Sequence, residues 1–149
     1  DALPMMGRAK DIAVISWGQS DLDDLIEQAA TAQGRTIVPD DAPDKGFFFR
    51  SDQFNFAKLG VPVLYARSGL NLVDGGEEAG RVAYADYSAN HYHKPSDSYD
   101  SDWDFRGVIA DVKAFYAVGK KLADKNTFPQ WKPSADFHRP LTLEGKTSR

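Results

Sequence analysis

A chain of 149 residues is long enough for one domain with a sizeable core, burying roughly two-thirds of the surface its unfolded form would expose. It is 42% hydrophobic and 27% charged, and a net charge of -4 argues against nucleic acid or an anionic membrane surface as a partner. It has no cysteine, which excludes disulfides and thiolate metal sites, and no apolar run approaches the ~18 residues of a membrane span.

The chain opens at Asp1 without the basic, apolar and small-residue order of a signal peptide. A start inside an apparently structured segment is expected of a processed chain or a fragment. "DIAVISW" (Asp11–Trp17) is apolar and rich in β-branched residues, and predicts a buried strand. In "GQSDLDDLIEQAATAQG", Ser20 and Asp23 resemble a capping box. Leu22, Leu25, Ile26 and Ala29 then form an apolar stripe, and Gly34 suits the helix end. "RTIVPD" predicts a second short strand ended by Pro39.

After the turn-rich "DDAPDKG", Ser51 or Asp52 can cap a short helix over Phe54–Leu59, stopped by Gly60. "VPVLYA" (Val61–Ala66) is the clearest strand signal. From Arg67 to Asp100 the chain is rich in Gly, Asn, Asp, Ser and Tyr with little periodicity, and reads as a long loop. "DWDFRGVIADVKAFYAVGKKLAD" predicts the longest helix. Its apolar stripe runs through Phe105, Val108, Ile109, Val112, Phe115, Tyr116 and Leu122, with lysines toward the C-terminal end. The tail beyond Asn126 is aperiodic and proline-rich, as a surface-wrapping segment would be. Strands alternate with helices, so the expected class is α/β.

Three motifs are set aside. "EGKTS" lacks the first glycine of a phosphate loop, where Pro140 stands. "GQSDL" has Leu22 where a nucleophile elbow needs glycine. Glu77 and Glu78 are adjacent, a spacing that rarely converges on one point, and fit a solvated loop.

"ANHYHKPSDSYD" carries more. In an extended segment His91 and His93 would face one side, where two imidazoles and nearby carboxylates could bind zinc. A loop histidine bonded to Asp97 is the alternative, and His138 reads as a surface residue.

"RSDQFNFAKLGVPVLYA" (Arg50–Ala66) followed by "YHKPSDSYD" (Tyr92–Asp100) resembles the C-terminal half of the M28 family of zinc metallopeptidases. Typical members carry Ser-Asp-His-x-x-Phe, then Gly-[Ile/Val]-Pro and a strand, then Tyr-His-x-x-x-Asp. The matching residues are Ser51-Asp52, Phe54 or Phe56, Gly60-Val61-Pro62, Tyr92-His93 and Asp97. The resemblance covers roughly Asp1 to Asp124, with a tail similar to that of a bacterial subgroup. Gln53 departs from the pattern at a position that is usually not a ligand.

The resemblance implies a three-layer α/β/α fold with a mixed sheet, of which this chain would be an incomplete, C-terminal part over residues 1–124. The Pro-rich tail, 125–149, would pack on or near it. It implies an aminopeptidase with two Zn2+ per intact enzyme, acting on a peptide or a modified amino acid. His93 sits at a metal-ligand position, and Asp1 matches a ligand Asp that ends a core strand. Asp97 would orient the His93 ring from behind, the segment from Arg67 to His91 would line the substrate pocket, and Tyr84 or Tyr87 would sit near the developing oxyanion.

In the family, the bridging Asp and the general-base Glu lie upstream of the position of Asp1. This chain would then offer each zinc a single ligand, hold zinc weakly or not at all, and be inactive without the missing N-terminal half. An uncovered sheet edge and apolar surface would favour self-association or a retained partner. Similarity to exported bacterial members points to the periplasm or secretion. The alternative is a non-catalytic binding or assembly domain that keeps the half-fold.

Overall fold

A computed structural model describes residues 5–140 of the chain. At its centre lies the strand β1, Asp11–Val14, with all four residues buried. Burial on both faces is what a run of small and β-branched apolar residues calls for. On one side β1 pairs in parallel with β2, Thr36–Pro39, from Asp11 opposite Thr36 to Val14 opposite Pro39. On the other it pairs antiparallel with β3, Ala66–Ser68, with Val14 opposite Ala66 and Ile12 opposite Ser68. The sheet is mixed, in the order β2-β1-β3.

The helix α1, Leu22–Ala32, joins the parallel pair and buries Leu22, Leu25, Ile26, Ala29 and Ala30 along one stripe. Ser20 Oγ accepts from the Leu22 amide at 3.3 Å. The Asp23 carboxylate reaches back to the Gly18 amide at 2.9 Å, beyond the capping-box partner expected of it. Ile12 and Val14 pack with the α1 stripe and with Ala114 and Val118 of α4, Arg106–Ala123, into one apolar cluster. By the two-residue period of a strand, Ala13 and Arg67 point to the opposite face. There Arg67 meets Tyr84 of α3, Gly76–Asn90, so α3 approaches that face at β3. The fold is α/β, with a small three-stranded mixed sheet.

One buried ion pair fastens α4 to the chain at the start of β2. Arg35, directly before β2, meets Asp111 of α4 at 2.6 Å with both side chains almost fully enclosed. A second guanidinium nitrogen donates to the Asp11 carbonyl at 2.7 Å.

Three expectations are corrected. The segment Arg67 to Asp100 is not a long loop, because Gly76–Asn90 is helical. Only Gly80 of this helix is buried, so no apolar stripe marks it in the sequence. Glu77 and Glu78 occupy its first turn, where carboxylates suit the helix dipole, and Glu77 pairs with Arg81 one turn on.

The strand predicted over Val61–Ala66 is paired only at its end, as β3. The chain opposite turns away after Val14, so Tyr65 meets the Ile15 amide and the Ser16 hydroxyl instead of continuing the ladder. Finally, α4 buries Gly107, Ala110, Asp111, Ala114 and Val118, while Phe105, Ile109, Val112 and Tyr116 are exposed. Close approach selects the small residues: a Cβ on Gly107 would lie 2.0 Å from the Gly7 carbonyl oxygen.

The helix α2, Gln53–Ala57, follows 3-10 turns at Pro43–Lys45 and Phe47–Arg50. Phe48 and Phe54 gather with Phe137 of the tail, which also meets Trp131. The Trp131 indole donates to the Gly60 carbonyl at 3.0 Å, and Lys132 reaches Asp23 at 2.7 Å. The "EGKTS" segment lies outside the described residues. No helix among the described residues is long and apolar enough to cross a membrane.

Candidate functional site

The position of α3 is set by a close approach. Gly80 lies against the Leu70 carbonyl, where a Cβ would sit only 2.0 Å from the oxygen. This brings Tyr84 over the Arg67 guanidinium, 4.9 Å from the ring centroid. About one turn later, the Tyr87 hydroxyl donates to the Asp97 carboxylate at 3.1 Å. Burial, and then that hydrogen bond, push the Tyr87 hydroxyl above its ordinary pKa.

α3 ends in a tightly bonded turn that carries both histidines. The amides of His91 and Tyr92 both donate to the Tyr87 carbonyl at 2.9 Å. Ser96 Oγ donates to the Asn90 carbonyl at 2.6 Å, and the Lys94 ammonium donates to the carbonyl of Ala89. His91 is occupied locally. Its Nδ1 is 3.1 Å from the Ser96 carbonyl and its Nε2 is 4.0 Å from Asp86.

His93 differs on each of these points. It is the non-glycine residue held at a left-handed φ, +58°. For a residue with a Cβ this conformation costs on the order of 1–2 kcal/mol and persists only where the surroundings impose it. Here they do so through the Asp97 amide to the Lys94 carbonyl at 3.0 Å and the Lys94 amide to the His91 carbonyl at 2.9 Å. The ring is exposed, stacks on Tyr92 at 3.9 Å, and makes no hydrogen bond through either nitrogen among the described residues. An exposed imidazole with free nitrogens, fixed by the backbone and one stacking partner, is suited to accept a metal ion or a proton.

The residues picked out in the sequence are therefore distributed unevenly. Tyr87, Asp97, Tyr92 and His93 come together around the end of α3, and Tyr84 lies above Arg67 on the same helix. Asp97 is bonded to Tyr87, whereas among the described residues it has no bond to His93. Asp1 lies outside the described residues. Among the described residues no three His, Asp or Glu side chains are grouped so as to hold a metal ion. His93 fits as one ligand of a zinc site, and the remaining donors of such a site are not found among the described residues.

Arg67 is a feature that sequence reasoning passed over. It is buried at the far end of an apolar run, paired with Asp41 at 2.5 Å. A charged residue placed between "VPVLYA" and "SG" was the available signal.

The α/β fold thus displays an exposed imidazole at the end of α3. The model of peptidase family M28 matches residues 1–117. The chain belongs to peptidase family M28, which carries with it a peptidase-type, hydrolytic function. No curated protein and no solved structure matches the chain.

Proposed function

We propose that this chain is the C-terminal part of a dinuclear zinc aminopeptidase, active when joined to residues that precede Asp1. The observation that carries this reading is the strained, unencumbered His93, which the sequence resemblance puts at a metal-ligand position. In the proposal His93 and Asp1 each supply one ligand to a different zinc, and the bridging Asp and the general-base Glu come from upstream. Bound zinc supplies hydroxide at neutral pH by lowering the pKa of its water toward ~7. His93 contributes a neutral imidazole, and its rigid turn limits the reorganisation that ligation would require.

The two tyrosines take different parts. Tyr87 is spent on Asp97 and holds the turn that bears His93. The Tyr84 hydroxyl makes no hydrogen bond among the described residues and is free to donate toward a substrate oxygen. The substrate is a peptide with a free N-terminus, or a modified amino acid.

Two further features support incompleteness. The exposed α4 face of Ile109, Val112 and Tyr116 is an apolar stripe at helical spacing. The outer edges of β2 and β3 have no strand partner among the described residues. In the proposal the upstream half covers them, and the isolated chain self-associates or retains a partner.

The deciding experiment is expression of the full-length polypeptide, followed by assay on Leu-p-nitroanilide with and without a chelator. Zinc-dependent cleavage, abolished by His93→Ala, is expected. A full-length sequence with no upstream His-x-Asp and Glu-Glu would overturn the assignment. For the isolated chain, zinc titration watched at the His93 ring protons should show weak binding; tight uptake of two zinc ions would refute the split-ligand arrangement. Light scattering with mass spectrometry checks the uncovered surfaces. A lone monomer would count against them.

A further inference from the structure

A cavity of about 170 Å3 has walls that include Asp41, Lys45, Phe47, Arg67, Arg81 and Tyr84. Whole-ligand sites usually measure about 300–1,000 Å3, so this one suits a terminal group of a larger molecule.

Its charges are unequally spent. Arg67 is 8% exposed and stands on β3 with Tyr84 over its guanidinium. One nitrogen, Nη2, meets Asp41 at 2.5 Å, while Nε and Nη1 have no hydrogen-bond partner among the described residues. Neither nitrogen is among the enclosed unpartnered atoms of the described residues, so both are open to an acceptor from solvent or a ligand. Lys45 has no carboxylate partner among the described residues and lies 6.0 Å from the Phe47 ring centroid. Arg81 is already held by Glu77. The cavity thus offers unfilled donors on two cations, and its carboxylate, Asp41, is engaged by one of them.

The cavity and His93 are linked along α3: Tyr84 lines the cavity, and the helix runs on to the turn that carries His93.

We propose that the Arg67–Lys45 cavity is a carboxylate-binding subsite that selects acidic substrates. The proposal rests on the peptidase reading for what the carboxylate belongs to, and on geometry alone for the binding. A carboxylate can accept from the free Nε or Nη1 of Arg67, with Lys45 closing over it. Its methylene carbons would lie along Tyr84 and Phe47. Asp41 on the wall disfavours a dianion, so a carboxylate is preferred to phosphate. The carboxylate can be an acidic side chain at the substrate N-terminus or the free C-terminus of a short peptide.

Binding is tested on the 149-residue chain itself by titrating glutarate, glutaramide and inorganic phosphate while following the Tyr84 ring resonances. Glutarate should bind at least about tenfold more tightly than either competitor. That margin should vanish in Arg67→Met and shrink in Lys45→Gln. The Lys45 side chain is outside the core, so its variant remains informative if Arg67→Met does not fold. Equal binding of glutarate and glutaramide, or phosphate binding as tight as glutarate, would overturn the proposal. In the full-length enzyme, Glu- over Gln-p-nitroanilide identifies the side chain as the source. A free over an amidated dipeptide identifies the C-terminus. Either preference should shrink through KM in Lys45→Gln, and the absence of both would overturn substrate selection. If none of these substrates, nor Leu-p-nitroanilide, is cleaved, the peptidase reading fails while the glutarate titration still judges the subsite.

Discussion

The α1–α4 side of the sheet and the α3 side are built on different terms. On the first, Ile12, Val14, Leu25, Ile26, Ala114 and Val118 exclude water, and one enclosed ion pair ties α4 to the start of β2. On the second, α3 buries a single glycine, and its C-terminal turn is held by local hydrogen bonds around exposed rings. Stability therefore concentrates on one face and displayed chemistry on the other. Substitutions should separate cleanly between the two.

The largest effect is expected at Asp111. Asp111→Ala leaves Arg35 buried without its carboxylate, and urea denaturation should show a loss of about 3–5 kcal/mol. A loss under 1 kcal/mol would mean that the pair is hydrated and that the first region is less dry than described.

Ile26 is fully buried at the centre of the apolar cluster. Ile26→Ala should cost about 2–5 kcal/mol, with the size set by how far the cavity collapses. Both figures apply to any soluble assembly the chain forms, so protein concentration should be held constant between variants.

Asp11 offers a change of opposite sign. Burial raises its pKa above the ordinary 3.8, although the Asn71 amide and Arg35 oppose the shift. The folded state thus bears a cost for the ionised carboxylate that is fully present above the folded pKa. The cost fades as pH falls through that value and is gone below 3.8. Asp11→Asn keeps an acceptor for Asn71 and should raise stability at pH 7, with the advantage shrinking on acidification. An advantage that grows toward low pH would reverse the assigned sign.

On the α3 side the expected cost is small. His93→Ala removes an exposed ring and should change unfolding free energy by less than about 0.5 kcal/mol while abolishing metal-dependent activity of the full-length protein. A destabilisation comparable to that of Ile26→Ala would show that His93 is a packing residue, and the contrast between the two faces would dissolve.

Which parts were legible in advance follows from the same division. β1 and α1 announce themselves because one compact apolar run and one amphipathic stripe are written directly in residue spacing. β2 is likewise bounded by its proline. α3 does not announce itself. A helix that packs through Gly80 alone has no periodic stripe, so its many glycines and polar residues resemble a loop. For α4 the helix is plain but its orientation is not. Periodicity marked the bulky residues, whereas contact with the Gly7 backbone selected the small ones.

The candidate site divides in the same way. His93 stands out because Tyr92-His93 and Asp97 resemble a family pattern of residues, a reading that needs no coordinates. Its left-handed backbone, its stack on Tyr92 and the capture of Asp97 by Tyr87 are long- and medium-range facts with no local signature. Arg67 is the clearest case. From the chain alone it is one arginine beside an apolar run. Only the pairing of β3 with β1 buries it, and only the approach of Gly80 to Leu70 places Tyr84 above it. Sequence by itself determined the α/β class, the first helix and the family, because those depend on residue order and nearest-neighbour burial. Tertiary structure alone decided which side chains share a cavity, because that depends on where separate elements come to rest.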